Sequence, residues 1–110
     1  MAAAGNDEVP IKDGAANHFK GMEAVGGRLF LTNRRLIFRS HSLNIQTHEE
    51  SYRLDEIAAV VRRNTLGIVP NGIAVRLVDG RVERFVVNGR GDWISKIESA
   101  RSAGHDRPSL

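Results

Sequence analysis

The sequence contains no cysteine, and this absence excludes several kinds of chemistry at once. Disulfide bridges, cysteine nucleophiles and thiolate metal sites are all ruled out. The sequence also lacks an apolar run near the roughly 20 residues that a membrane-spanning helix needs. It shows no N-terminal signal segment of charged and then apolar residues. We therefore expect a cytoplasmic protein, or one that associates with membranes from their surface.

Catalytic motifs are also missing. The four histidines show no metal-ligand spacing with carboxylates, and the segment His48-Glu49-Glu50 lacks the second histidine of a zinc-binding helix. The sequence has neither a Gly-x-Ser-x-Gly nucleophile turn nor a glycine-rich phosphate loop. It therefore predicts a protein that is not an enzyme and that holds no metal ion or cofactor.

The net charge of the chain is only +3, because its 16 basic residues nearly balance its 13 acidic residues. The distribution is uneven, because eleven arginines but only six carboxylates lie between Arg28 and Arg90. The arginine side chain presents a planar fork of donors that suits phosphate and carboxylate groups. An anionic partner is one interpretation, and solvation of outer strand faces is the other. Nucleic acid is a poor candidate because the six aromatic residues do not alternate with arginine for base stacking.

Turn-forming residues punctuate the middle of the sequence, and short runs of β-branched, aromatic and leucine residues lie between them. This pattern is typical of a small antiparallel sheet or barrel. The turn signals are Gly26-Gly27, Asn33-Arg34, Pro70-Asn71-Gly72, Asp79-Gly80 and Asn88-Gly89. The seven predicted strands are Ala15–Lys20, Arg28–Thr32, Arg35–Ser40, Ser51–Leu54, Ala59–Asn64, Ile73–Val78 and Arg81–Val87.

Two hairpins allow the strand register to be predicted. A two-residue loop at Asn33-Arg34 pairs Leu29 with Phe38 and Leu31 with Leu36 on one face, which makes that face the core. For the Asp79-Gly80 hairpin the sequence leaves two registers open. A two-residue loop places Arg76 opposite Glu83, whereas a one-residue bulge at Gly80 aligns Ile73 with Phe85.

One helix is predicted to follow the last strand, from Asp92 to about Ser102. Asp92 suits the positive end of the helix dipole, and Trp93, Ile97 and Ala100 recur at helical spacing. Because so short a helix is marginal in water, it should pack on the sheet, with Trp93 closing an open end of the barrel.

The two ends of the chain carry polar and small residues together with Pro10 and Pro108. Such segments bury little apolar surface, so we expect a flexible lead-in over residues 1–13 and a flexible tail over residues 104–110. A single domain is then predicted over residues 14–103.

The longest recognisable pattern runs from Gly26 to Phe38, and it resembles the hallmark of the GRAM domain family across its second and third strands. The matching residues are Gly27, Leu29, Leu31, Thr32, Asn33, Arg35, Leu36 and Phe38. Weaker matches extend the resemblance over about residues 14–99. They are Ala16-Asn17-His18-Phe19-Lys20, Leu54-Asp55-Glu56-Ile57, Pro70-Asn71-Gly72-Ile73, Asp79-Gly80 and Trp93-Ile94.

The resemblance implies a mainly β, pleckstrin-homology-like barrel. This fold has seven antiparallel strands in two roughly orthogonal sheets, capped by one C-terminal α-helix. It also implies a non-catalytic binding module, since some relatives bind phosphoinositides or other anionic lipids and others bind proteins. Fold alone does not decide between these partners.

In lipid-binding relatives the ligand lies at the open end of the barrel. Carried over to this sequence, the anion-binding positions are Lys20, Arg28, Arg39, His41, His48 and Arg81. Pleckstrin domains that bind phosphoinositides often carry a second arginine where this chain has Phe30. This departure favours a weak attraction to an anionic surface over stereospecific binding of one headgroup.

Phe30 and Ile37 share the second face of the first hairpin and support a different hypothesis. If that outer face is open, it is an apolar patch for a protein partner or for another copy of the chain. The alternative is that the N-terminal segment or a neighbouring strand covers both side chains.

Overall fold

The computed structural model describes residues 7–41 and 49–105, without the side chains of residues 104 and 105. Seven strands precede one C-terminal helix, and a 3₁₀ turn at Leu54–Glu56 joins the fourth strand to the fifth. The elements are β1 (Pro10–Lys20), β2 (Glu23–Thr32), β3 (Arg35–Ser40), β4 (Glu49–Arg53), β5 (Ile57–Thr65), β6 (Val69–Leu77), β7 (Val82–Val87) and α1 (Arg90–His105). No helix in this part of the chain is long and apolar enough to cross a membrane.

All strand pairs are antiparallel, and the order across the sheet is β4-β3-β2-β1-β7-β6-β5. The eleven-residue β1 pairs along its length with β2 and, near its end, with β7. It therefore joins the two halves of the fold into one continuous, curled sheet. The predicted fold class, seven antiparallel strands followed by one helix, is confirmed.

Two glycines that the sequence pattern placed in turns lie inside strands. Gly27 is in β2 and Gly72 is in β6. A Cβ at Gly27 would lie 2.3 Å from the Arg39 carbonyl oxygen, and one at Gly72 would lie 2.6 Å from the Arg63 carbonyl oxygen. These glycines allow close backbone approach within a curved sheet rather than chain reversal. The turn between β1 and β2 falls instead at Gly21, whose φ is +63°.

The N-terminal strand also begins earlier than predicted, at Pro10 rather than Ala15. Residues 10–13, which were assigned to a flexible lead-in, pair with Leu31 and its neighbours in β2. The lead-in prediction is wrong for these residues because their backbone completes the ladder of β2. Residues 1–6 and 106–110 lie outside the described part of the chain, and the domain boundary at residue 103 stays a prediction.

The two hairpin registers are now fixed. Leu29 pairs with Phe38 and Leu31 with Leu36, as predicted. In the second hairpin Ile73 pairs with Phe85, which is the bulged alternative. Gly80 makes this possible with a φ of +98°, a conformation that other residues rarely adopt.

The core lies inside the curl and is closed by α1. Leu29, Leu36 and Phe38 are fully buried, and Trp93 and Ile97 of α1 join the same cluster. Trp93 packs over Gly14 of β1, where an added Cβ would already be in van der Waals contact with the indole ring. The helix therefore closes the core as the sequence predicts.

Candidate functional site

The predicted anion-binding residues do not form one cluster. Strand alternation places Lys20 on the inner side of the curled sheet, whereas Arg28 and Arg39 pair directly across β2 and β3 on the outer side. Arg81 lies in the turn between β6 and β7. His41 is exposed at the end of β3, and His48 lies outside the described residues.

Each of the four predicted lysine and arginine cations has a carboxylate partner. These ion pairs reduce the positive potential that the residues offer to an anionic ligand. The pairs are Lys20 with Glu50, Arg28 Nε with Asp13 Oδ2 at 2.8 Å, Arg39 Nε with Glu49 Oε1 at 3.0 Å, and Arg81 Nε with Asp79 Oδ2 at 2.8 Å.

The inner side near the end of β1 holds a compact polar network. His18 is fully buried, stacks on Phe85 with ring centroids 4.6 Å apart, and shares a 2.7 Å hydrogen bond between its Nε2 and Glu83 Oε1. Across the curl, Glu50 of β4 accepts hydrogen bonds from Lys20 and from the Tyr52 hydroxyl. The curl therefore brings β4 close to β1 and β7, although these strands are not neighbours in the sheet.

The network settles the protonation of two of its members. Burial raises the pKa of Glu50, but hydrogen bonds from Lys20 and Tyr52 and the nearby positive charges outweigh it and lower that pKa to about 2. Burial, followed by the hydrogen bond to Glu50, raises the pKa of the Tyr52 hydroxyl. Glu50 is therefore a carboxylate and Tyr52 a neutral donor at neutral pH.

Potential metal-ligand atoms of His18, Glu50 and Glu83 lie within 4.8 Å of one another. A cation at this position would compete with Lys20 and Tyr52 for Glu50 and with the His18–Glu83 hydrogen bond. The arrangement is therefore explained by its internal hydrogen bonds and ion pairs, which engage His18 Nε2 and the carboxylates of Glu50 and Glu83.

The expected partner surface is smaller than the sequence suggested. Ile37 is only 8% exposed and Phe30 is half-buried. The Arg39 guanidinium lies over the Phe30 ring, 5.5 Å from its centroid. Both apolar side chains line one shallow groove with residues 10–13 of β1. The N-terminal segment thus borders this patch, and its role as an interface stays a prediction.

A different surface gathers arginines without carboxylates. Strand pairing aligns three rows across the outer side of β5, β6 and β7, and we call this surface the arginine face. Its rows are Ala59-Arg76-Val82, Val61-Ala74-Arg84 and Arg63-Gly72-Val86. Among residues 7–41 and 49–105, none of the three arginines forms an ion pair.

Sequence reasoning missed this face because it depends on the register of the β6–β7 hairpin. In the two-residue register Glu83 would stand opposite Arg76 on the outer side. In the bulged register Glu83 instead pairs with Val75 and points inward to His18, so Arg76 keeps no carboxylate across from it. A shift of one residue moves every side chain of a strand to the other face.

A sequence model described as the GRAM domain matches residues 5–98. Among curated protein sequences, none matches this chain.

Solved structures share the fold at low sequence identity. The C-terminal domain of an unknown protein from Leishmania infantum aligns with a TM-score of 0.76 and 21% identity, covering 91% of this chain and 88% of that one. The N-terminal PH domain of human ARAP2 gives a TM-score of 0.70 and 15% identity, with coverages of 90% and 85%. The Slm1 PH domain, solved in complex with inositol 4-phosphate, gives 0.60 and 13%, with coverages of 84% and 94%. These structures show a pleckstrin-homology-like fold.

Proposed function

Because this chain belongs to the GRAM domain family, we propose that it is a non-catalytic module that binds anionic phospholipid membrane surfaces. Binding is peripheral and reversible, as expected of a cytoplasmic protein that meets a membrane from one side. The Slm1 PH domain, which shares the fold, holds an inositol phosphate in its structure, and this supports an anionic phosphate-bearing ligand class.

The observation that carries the proposal is the arginine face. Arg63, Arg76 and Arg84 lie on the outer side of three neighbouring strands, β5, β6 and β7, and the nine residues of that surface include no carboxylate. A basic residue near an anionic membrane contributes about 1 kcal/mol to the free energy of binding, so three arginines contribute about 3 kcal/mol. This magnitude supports weak attraction to a charged surface, as the replacement of an arginine by Phe30 at the open end also suggested.

The polar network supports a binding role over a catalytic one. Glu50 and Glu83 are held by hydrogen bonds to neighbouring side chains, and Trp93 is packed into the core. A general acid or base needs a pKa close to the working pH, whereas the pKa of Glu50 is lowered to about 2.

Vesicle co-sedimentation tests the proposal. The protein is expected to bind phosphatidylcholine vesicles that contain about 30 mol % phosphatidylserine, and to leave pure phosphatidylcholine vesicles unbound. Because exposed charges are screened by salt, binding should weaken as NaCl rises from about 0.05 M to about 0.5 M. Failure to bind anionic vesicles at the lowest salt concentration overturns the proposal.

Two sets of arginine variants locate the contact. The triple variant Arg63→Gln, Arg76→Gln and Arg84→Gln should lower vesicle affinity about 100-fold, from about 1 kcal/mol for each arginine. The matched double variant Arg28→Gln and Arg39→Gln removes cations that already have carboxylate partners, so it should change affinity much less. The reverse order of effects would assign binding to Arg28 and Arg39, two of the positions that the family resemblance implies.

A protein partner at the Phe30 groove is the second candidate, favoured by the apolar residues that line this groove beside Arg39. Under this hypothesis the wild type forms an oligomer or a complex with a candidate partner, and Phe30→Ser lowers the molar mass of that species measured by light scattering. A monomer under all these conditions excludes self-association through this groove.

A further inference from the structure

The turn between β5 and β6 exposes apolar side chains to an unusual extent. Leu66 is 89% exposed and Ile68 is 79% exposed, although both are aliphatic. Val69 and Pro70 follow directly and are also exposed. We call residues 66–70 the apolar tip. No side chain in these five residues is polar.

The backbone of the apolar tip adopts conformations that a leucine does not favour. Leu66 has a φ of +55°, in the left-handed region where asparagine and glycine are common and leucine is rare. Gly67 has a φ of +77°, and no atom of the described residues lies within 4 Å of where its Cβ would be. An exposed leucine in a strained conformation costs stability and adds nothing to the core. Such a cost is best explained by a contact outside the molecule.

Cations surround the base of this hairpin. The sequence from Ile57 to Val78 contains three arginines and no aspartate or glutamate. Arg62 and Arg63 lie in β5 just before the tip. Arg90, at the start of α1, donates to the Asn64 side chain at 3.0 Å and to the Arg63 carbonyl at 3.2 Å. The apolar tip therefore projects from a positively charged collar.

We propose that the apolar tip inserts into the headgroup region of an anionic bilayer while Arg62, Arg63 and Arg90 contact lipid phosphates. This inference rests on the proposed membrane function and names the element that enters the membrane. Arg63 belongs both to the collar and to the arginine face, so the tip and the face engage the same surface together.

A bilayer suits this shape better than a protein surface does. A specific protein interface buries roughly 800 Å² on each partner around well-packed anchors. The apolar tip is a turn with two prominent exposed side chains, Leu66 and Ile68. Insertion of apolar groups by about 5–10 Å into the headgroup and acyl boundary needs no complementary pocket. The basic collar adds attraction to anionic lipid.

The first test is the double variant Leu66→Asn and Ile68→Ser in the full chain. Asparagine tolerates the left-handed conformation at position 66, so folding should be unharmed, and a thermal melt checks this. Each lost aliphatic side chain should lower partition into anionic vesicles about tenfold. The matched control is Met22→Ser, because Met22 is fully exposed on the turn between β1 and β2. This control should bind vesicles like the wild type.

The second test measures depth directly. Because the chain has no cysteine, Leu66→Cys and Met22→Cys each give a single site for an environment-sensitive fluorophore. Emission at position 66 should shift to the blue on anionic vesicles and be quenched by brominated lipids. The label at position 22 should keep the emission that it has in water.

The outcomes separate the two proposals. If the wild type binds no anionic vesicle, the proposed membrane function fails. If the wild type binds, but the double variant binds equally and the label at position 66 does not respond, only insertion of the tip is overturned. Insertion is likewise overturned if Met22→Ser is the variant that loses binding. A self-associated form that the double variant disperses, with vesicle binding unchanged, would assign the tip to a contact between copies.

Discussion

At the scale of single residues, Gly27 shows how one missing side chain allows two strands to pair in a curved sheet. A Cβ at this position would lie 2.3 Å from the Arg39 carbonyl oxygen and 2.8 Å from the Phe38 ring. Neither neighbour is the flexible end of a side chain. Gly27 is also part of the pattern that matches the GRAM family, so the family signature here reflects a packing requirement rather than a ligand contact.

We expect Gly27→Ala to destabilise the fold by about 2–3 kcal/mol, since an added methyl group forces the backbone of β3 to move. The midpoint of urea denaturation measures this loss. Gly26→Ala is the matched control, because among the described residues its Cβ would meet only the Asn17 side chain, at 3.4 Å. Equal midpoints for the two variants would contradict the role assigned to Gly27.

Glu50 gives a prediction for pH. Its pKa is lowered from 4.5 to about 2, because hydrogen bonds from Lys20 and Tyr52 outweigh the effect of burial. A carboxyl whose pKa is lower in the folded state stabilises the fold above its unfolded pKa, and this stabilisation is lost as pH falls towards the folded pKa. The loss should therefore occur between about pH 4.5 and pH 2.

Glu50→Gln isolates this contribution from that of other carboxyls. At neutral pH the variant should be less stable by about 2 kcal/mol, discounted for the solvent that reaches part of the carboxylate. The gap between wild type and variant should close as pH falls to about 2, as followed by urea denaturation at each pH. A gap that stays constant over this range would show that ionised Glu50 does not stabilise the fold.

At the scale of elements, strand identities followed from the sequence better than strand ends did. The strand β3 runs from Arg35 to Ser40 as predicted, because a turn and a clear alternation of apolar residues define it. The strands β2 and β6 begin earlier than predicted. Their predicted starts were too late because glycines inside these strands resemble turn signals. The start of β1 contains few apolar residues, so its sequence does not indicate a strand. Its backbone is extended because it pairs with β2.

Several contacts tie the start of β1 and the residues before it to the rest of the fold. Val9 exchanges hydrogen bonds with Asn33, donating to its side chain at 2.7 Å and accepting from its backbone at 3.0 Å. The Arg35 guanidinium donates to both carboxylate oxygens of Glu8, at 2.8 and 3.2 Å. These contacts lie before residue 14, the predicted start of the domain.

A shortened chain spanning residues 14–103 should therefore be less stable than one spanning residues 7–103. It loses several backbone hydrogen bonds to β2, each worth about 1 kcal/mol, so a loss of about 3 kcal/mol or more is expected. Thermal and urea unfolding of both chains measure the difference. Equal stabilities would restore residue 14 as the start of the domain.

At the scale of the whole molecule, the balance of arginines and carboxylates differs between parts of the outer surface of the curled sheet. On the outer side of β2 and β3, Arg28 and Arg39 are matched by carboxylates. On the outer side of β5–β7 and around the apolar tip, the arginines outnumber carboxylates. The modest net charge of +3 therefore conceals one surface that is strongly basic. Under the proposed membrane function, this asymmetry sets the orientation of the domain towards an anionic bilayer.

The sequence by itself determined the fold class, the pairing of Leu29 with Phe38 and the core position of Trp93, because these follow from local alternation and helical spacing. It also carried the family signature. Only the tertiary structure decided on which side of the sheet Glu83 lies. The bulge at Gly80 turns that carboxylate inward to His18 and leaves Arg76 without a carboxylate opposite it. Two registers satisfy the same hairpin sequence, and packing of Phe85 into the core selects one of them.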